Sequence, residues 1–194
     1  NPDGTIELLQ SVAPMGEGSK WLLGLKPGDP LQFLGPLGKF VLQKESPLRP
    51  PSREAGQGSS EASPRPKVFV ATGCGIAPLR AMITDELKGQ GTINNKQMVL
   101  FWGLRHETDV FWKEEFERLA VEHPNFRFVL TLSQPTDGWK GARGRVTQHV
   151  LKEIESLKQS EFYLCGNRQM IVDIRGLLTD NGVAVSQIFT ETYF

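Results

Sequence analysis

Cysteine is nearly missing from this chain: two residues in 194, Cys74 and Cys165. Two thiols so far apart exclude a disulfide framework and the close ligand spacings of zinc and iron–sulfur sites. A reduced, cytoplasmic compartment is the expectation for such a chain. Histidine is as sparse, and His106, His123 and His149 are scattered among polar neighbours. Each reads as a surface residue, with no metal constellation. Neither sign of charge is in excess, since 22 lysines and arginines face 22 aspartates and glutamates. That balance leaves no bulk charge to draw the chain to nucleic acid or to an anionic membrane. No apolar run approaches the roughly 20 residues that span a bilayer, and the first residues do not read as a secretory leader. Two catalytic signatures are also absent. Without a G-x-S-x-G elbow or a G-x-x-x-x-G-K-[ST] loop, an α/β hydrolase or a kinase-like enzyme is disfavoured.

What is present is concentrated around Lys67–Met82, KVFVATGCGIAPLRAM. The apolar run Val68-Phe69-Val70-Ala71 reads as a buried strand, Thr72-Gly73-Cys74-Gly75 as a turn, and Ile76-Ala77-Pro78 as a helix start. A strand, a glycine turn and a helix N-terminus in that order suit an anion. Glycine lets the backbone come close, and the unpaired N–H groups of the first helical turn point at the charge. Pro78 fits that first turn because its missing N–H has no partner to lose.

The rest of the chain repeats strand and helix. Strands are expected at Gln97–Trp102, Phe126–Leu132, Glu161–Leu164 and Val185–Phe189. Helices are expected at Ile76–Lys88, at Val110–Val121 behind the cap Asp109, at Val146–Leu157 and at Gln169–Thr179. Ser133 to Arg143 reads as a polar loop. Five strands with intervening helices imply α/β architecture with a parallel, doubly wound sheet, and ligands at the strands' carboxyl ends. Two turns lie there, Thr72–Pro78 and Cys165-Gly166-Asn167. Neither is the G-x-G-x-x-G fingerprint: Gly73 and Gly75 supply its first half, and Pro78 stands where the third glycine would be. Upstream, residues 5–12, 31–34 and 40–42 read as short strands, with a small helix Lys20–Leu25 capped by Ser19. That is part of a small β-barrel. Lys44 to Pro66, rich in proline, serine and glycine, reads as a flexible linker. The domain division is therefore 1–43, 44–66 and 67–194. Asn1-Pro2-Asp3-Gly4 is a turn leading straight into a strand, so further residues are expected upstream.

Taken together, these patches resemble the ferredoxin–NADP reductase superfamily of flavin-linked NAD(P)H reductases. The resemblance rests on G-x-x-S at Gly16–Ser19, followed by Trp21-Leu22 and K-P-G-D at Lys26–Asp29. It continues with G-P-x-G-x-F at Gly35–Phe40, T-G-x-G-I-A-P at Thr72–Pro78 and C-G-x-x-x-M at Cys165–Met170. It ends with Glu191-Thr192-Tyr193-Phe194. The chain departs from the pattern in three ways. The R-x-Y-S/T stretch expected before Asn1 is absent, the linker is longer, and no ferredoxin-type cysteine cluster occurs. The resemblance therefore implies the last part of an antiparallel flavin barrel followed by a five-stranded NAD(P)-binding domain.

The resemblance also implies roles. Gly16, Gly18 and Ser19 would contact FAD. Thr72, Gly73, Cys74, Gly75, Ile76 and Pro78 would hold the pyrophosphate of NAD(P)H, with Cys74 acting as a small packing residue rather than a nucleophile. Cys165, with Gly166, Asn167 and Met170, would lie at the nicotinamide and orient it for hydride transfer to the flavin. Glu191 would help with proton or nicotinamide positioning, and either Tyr193 or Phe194 would stack on the flavin. Near the adenosine ribose would stand Arg105 and Ser133, with Arg143 and Arg145 as further candidate cations. Gln134 replaces an arginine frequent in NADPH-using members, so NADH and NADPH both remain open. The implied activity is transfer of hydride from NAD(P)H to FAD, then of electrons to a protein acceptor such as a ferredoxin, flavodoxin or oxygenase component. The alternative is an NAD(P)-binding module or regulatory subunit without its own catalysis.

Overall fold

The computed structural model describes residues 4–12, 15–35, 38–43, 65–89 and 97–192. The chain divides into two units, Asn1–Phe40 and Val41–Phe194. In the first, helix α1 spans Glu17–Gly24. Its opening turn closes where the Lys20 N–H donates to the Gly16 carbonyl at 3.0 Å. Glu17 sits in that turn, where negative charge complements the helix dipole, and pairs with Lys20 at 2.8 Å. Extended Gly16 is thus the N-cap, and Ser19, expected to cap Lys20–Leu25, lies inside the helix. The strands expected at 5–12, 31–34 and 40–42 do not form among the described residues. A strand exists through its ladder, and a short alternating run does not by itself form one. Ile6, Leu8, Trp21, Leu23, Phe33 and Leu34 are all exposed.

The second unit is a six-stranded, fully parallel sheet in the order β4-β3-β2-β1-β5-β6. Its strands are β1 Lys67–Thr72, β2 Met98–Leu104, β3 Phe126–Leu132, β4 Ala142–Arg143, β5 Glu161–Gly166 and β6 Ile188–Thr192. The helices that follow in sequence are α2 Ile76–Gly89, α3 Lys113–Glu122, α4 Val146–Leu157 and α5 Arg168–Asp180. Both faces of the central strands are apolar because both are covered, so the runs are continuous rather than alternating. Val68, Val70, Val99, Phe101, Phe162 and Leu164 point to one face and pack with Met170, Ile171, Ile174 and Leu178 of α5 and Val146 and Val150 of α4. Strand alternation sends Phe69, Leu100, Trp102, Tyr163 and Cys165 to the other face, which also buries Leu79 and Ile83 of α2 and Phe116 of α3. Each large side chain removed from water contributes about 1.5–3 kcal/mol.

Three expectations are corrected here. The sheet has six strands, not five: Ala142 and Arg143 leave the supposed loop to pair with Thr131 and Leu132. Two residues carry no periodicity, so the strand has no sequence signal. Helix α3 begins at Lys113 rather than Val110. Asp109 instead closes a short 3₁₀ turn, Glu107–Asp109, by accepting the His106 N–H at 2.9 Å. Finally, Val185–Gln187 is a 3₁₀ turn and the last strand starts at Ile188. That shift carries Glu191 into the sheet.

At the amino edge of the sheet, Lys67 and Glu161 face each other in register. Both are buried, and the Lys67 Nζ lies 3.8 Å from Glu161 and 3.8 Å from Glu86. The Tyr163 hydroxyl donates to Glu161 Oε2 at 3.1 Å and accepts the Gln43 N–H at 3.0 Å. Burial, with the neighbouring carboxylates, holds that phenol well above its ordinary range.

Candidate functional site

The chain winds from β1 outward through β2, β3 and β4, then returns to β5 and β6 on the other side of β1. The winding therefore reverses between β1 and β5, and a crevice opens beyond their carboxyl ends. Register places the expected residues there together. Ala71 faces Cys165, Cys165 faces Glu191, and Gly166 faces Thr192.

Two turns form the walls. After β1, Gly73–Gly75 makes one 3₁₀ turn and runs into α2. Gly73 has φ +54°, which a side chain would strain. Gly75 is a glycine for another reason. A Cβ there would stand 2.2 Å from the Cys165 carbonyl oxygen and 2.7 Å from the Gly166 Cα. Gly166 itself has φ +134°, and its Cβ would meet Thr72 Oγ1 at 2.4 Å. The two turns are therefore packed backbone to backbone. A hydrogen bond joins them as well, from the Asn167 N–H to Thr72 Oγ1 at 2.9 Å. Asn167 then caps α5, its Oδ1 accepting from the N–H groups of Gln169 at 2.8 Å and Met170 at 3.4 Å. Two helix N-termini, α2 and α5, thus start from adjacent strand ends. Their partial positive charge favours an anion between them.

Not every expected residue presents its side chain to this crevice. Ile76 and Met170 are buried in the core, and Cys165 is fully buried beneath the turn. Cys74 is half-buried, and burial pushes its thiol up, which keeps it protonated and suits packing rather than attack. Pro78 is half-buried in the first turn of α2, and Glu191 is half-buried beside Cys165. Gly16 and Gly18 are exposed and Ser19 half-buried in the separate leading unit. Tyr193 and Phe194 lie outside the described residues.

Of the residues expected at the ribose, Arg105 and Ser133 lie on the loops after β2 and β3, Arg143 in β4 and Arg145 directly after it. The Ser133 N–H donates to the Leu104 carbonyl at 3.0 Å and the Gln134 N–H to the Arg105 carbonyl at 2.9 Å. Glu107 Oε1 accepts the Thr136 hydroxyl at 2.6 Å and the Thr136 N–H at 2.8 Å. The Thr136 hydroxyl, ahead of the other contacts, holds Glu107 below the ordinary carboxylate range, so it is ionised at neutral pH. Arg143 is a loop staple: one guanidinium nitrogen donates to the carbonyls of Thr136, Asp137 and Trp139 at 2.8–3.1 Å. Arg105 and Arg145 are exposed, and their side chains enter no hydrogen bond or ion pair among the described residues.

Trp102 was not expected at the site. Its buried indole N–H donates to the Gly73 carbonyl at 3.1 Å. A tryptophan within an apolar strand does signal a donor in need of an acceptor, but the acceptor's identity comes only from the fold. A cavity of about 860 Å³ lies elsewhere, between α3, β3 and the loop 138–142, and none of the expected residues lines it. Among the described residues there is no group of three or more His, Cys, Asp or Glu placed to hold a metal ion.

A parallel sheet whose winding reverses over two glycine turns and two helix N-termini defines a nucleotide-binding α/β domain. Residues 69–176 match the family model of the oxidoreductase NAD-binding domain, and the chain belongs to that family, within the ferredoxin–NADP reductase superfamily. The F component of the Na⁺-translocating NADH-quinone reductase of Pseudomonas aeruginosa is 32% identical over 190 residues, covering 94% of this chain and 42% of that protein. Its Neisseria meningitidis counterpart is 33% identical over 188 residues, with 93% and 41% covered. The chain thus spans well under half the length of these curated relatives. Among solved structures, the Amycolatopsis cytochrome P450 reductase GcoB superposes with TM-score 0.63 at 27% identity, covering 82% of this chain and 43% of that one. The cytochrome b5 reductase domain of Ulva prolifera nitrate reductase superposes with TM-score 0.70 over 97% of this chain and 70% of that one. At 20% identity, that likeness concerns the fold. The cofactors of the superfamily are FAD and a nicotinamide nucleotide. The residues present fit the nucleotide: Gly73 leaves open space where a side chain would stand, over a turn that opens α2.

Proposed function

We propose that this chain binds NAD(P)H in the crevice between β1 and β5 and serves a flavin-linked oxidoreductase that delivers electrons to a redox protein. The observation that carries this reading is the packing of the Gly73–Gly75 turn onto Cys165 and Gly166. It brings an anion cradle and the end of β5 to one place. When bound, the nicotinamide supplies a hydride, and the flavin divides it into single electrons for a one-electron acceptor. The protein's own part is binding and orientation. The turn after β1 and the α2 N-terminus hold the pyrophosphate. Gly166 keeps the floor beneath the nicotinamide low, and Cys165, buried under the turn beside Glu191, shapes that floor from below. Placement of that kind contributes several kcal/mol to a transfer step, on the order of 7 or more in well-oriented systems. Gly16, Gly18 and Ser19 are proposed to contact FAD, with Tyr193 or Phe194 covering it.

On the ribose side, Arg105 and Arg145 offer cations to a 2′-phosphate, whereas ionised Glu107 offers an acceptor to a free 2′-hydroxyl. The Pseudomonas and Neisseria relatives are components of an NADH-quinone reductase. A cytoplasmic location is proposed on the two free thiols, Cys74 and Cys165. Among the described residues no helix is long and apolar enough to cross a membrane. A second reading is a nucleotide-binding module without catalysis, supported by the family model, which matches the nucleotide-binding domain at residues 69–176. Calorimetric titration with NADH and NADPH, followed by addition of FAD, tests both. Nucleotide binding with flavin reduction is the expected result for the enzyme, and binding without reduction for the module. A chain that binds neither nucleotide overturns the proposal.

A further inference from the structure

We infer that Trp102 is a positioning residue for the anion turn, acting through the Gly73 carbonyl; the inference rests on the nucleotide reading above. Trp102 lies in β2, one strand away from the turn, and is fully buried. Its indole N–H reaches the Gly73 carbonyl at 3.1 Å. The same carbonyl also takes the Ile76 N–H, the bond that closes the 3₁₀ turn. The consequence follows from peptide geometry. The Gly73 carbonyl and the Cys74 N–H belong to one trans peptide plane and point opposite ways. A carbonyl held down towards Trp102 therefore aims the Cys74 N–H away from the core, towards the crevice. Gly73 at φ +54° has no side chain to restrict it, and an unpinned glycine samples many orientations. The indole adds a second donor to the carbonyl that Ile76 already holds, and so narrows what freedom the 3₁₀ bond leaves the turn where the ligand's charge is to be met.

The indole is itself held. Phe111 meets its ring edge-to-face at a centroid distance of 4.8 Å, and Phe116 at 6.1 Å. Trp112, next to Phe111, has a left-handed backbone, φ 53°, uncommon for so bulky a residue. Arg80 of α2 stands 4.2 Å over the Trp112 ring and grips Glu115 of α3 at 2.9 Å. The loop that carries Arg105 is thus clamped to the helix that begins at the anion turn, and Trp102 lies inside the clamp. Ribose-side loop and pyrophosphate turn are held as one piece.

The test removes the indole N–H in two ways, of which only the second keeps the full volume of the side chain. Trp102→Phe keeps an aromatic ring against Phe111. Incorporation of β-(3-benzothienyl)alanine at position 102 keeps the bicyclic shape and puts sulfur where the N–H was. Calorimetry with ADP-ribose, which carries the pyrophosphate, is compared with adenosine, which lacks it, and melting temperature is recorded alongside. The expected result is an affinity for ADP-ribose about three- to tenfold weaker in both variants, with adenosine unaffected. The benzothienyl protein should melt close to the unaltered chain and still show the loss. Unchanged ADP-ribose affinity in the benzothienyl protein overturns the inference, as does an equal loss for adenosine. An unaltered chain that binds no ADP-ribose overturns the nucleotide reading itself, and this inference with it.

Discussion

Two separate constraints account for the three glycines at the crevice, and substitution separates them. Gly73 needs its positive φ but has open space around it, so Gly73→Ala should cost about 1 kcal/mol, read from urea unfolding. Gly75 has an ordinary backbone and no space, because the nearest atoms are the backbone carbonyl of Cys165 and the Cα of Gly166. Backbone on a central strand cannot yield as a flexible side chain can. Gly75→Ala should therefore destabilise by about 1–3 kcal/mol and also abolish NADH binding by pushing the two turns apart. A Gly75→Ala protein that melts and titrates like the parent would show that the close approach is not needed. Gly166 combines both constraints. Thr72 shows the same economy: its hydroxyl accepts the Asn167 N–H, so the residue that ends β1 also fastens the turn after β5.

Among the elements, those formed by long apolar runs or long helical periods were legible before any coordinates. β3 at Phe126–Leu132 and α4 at Val146–Leu157 have the expected bounds. The strand–turn–helix after Lys67 was equally plain. Elements set by single contacts were not. Asp109 looked like the cap of α3 but serves a 3₁₀ turn, β4 has only two residues, and β6 was displaced by the turn at Val185–Gln187. Of the candidate site, the glycine turns could be read from residue types, whereas the place of Cys165 came from the family resemblance. Three features could not: the Trp102 bond to Gly73, the use of Arg143 as a loop staple, and the inward turn of Met170. Each depends on which strand lies beside which. The caps follow the same logic. Asn167 supplies two backbone donors of α5 with their acceptor, and Asn167→Ala should lower stability by about 1 kcal/mol in urea titration. Because its N–H still bonds Thr72, the turn should persist and NADH binding should weaken only modestly.

At the scale of the molecule, the parallel sheet is a complete platform for a nucleotide, whereas the leading unit leaves Trp21, Leu23, Phe33 and Leu34 exposed. The relatives it matches are more than twice its length. Cys165 on β5 and Glu191 on β6 lie side by side at the sheet's carboxyl edge. Under the proposed function that buried thiol acts by shape, in the flavin-loaded protein. Cys165→Ala should slow flavin reduction by NADH in stopped-flow mixing about tenfold or more while leaving nucleotide affinity nearly unchanged. Equal rates in the two proteins would remove Cys165 from the account.

Whether the turns after β1 and β5 together hold the nucleotide's pyrophosphate is read by amide shift mapping of the ¹⁵N-labelled chain with ADP-ribose. The largest displacements are expected at the N–H groups of Gly73, Cys74, Gly75 and Ile76, with Gly166 and Asn167 moving alongside. Displacements confined to other parts of the sheet, with those amides still, would show that the pyrophosphate is held elsewhere.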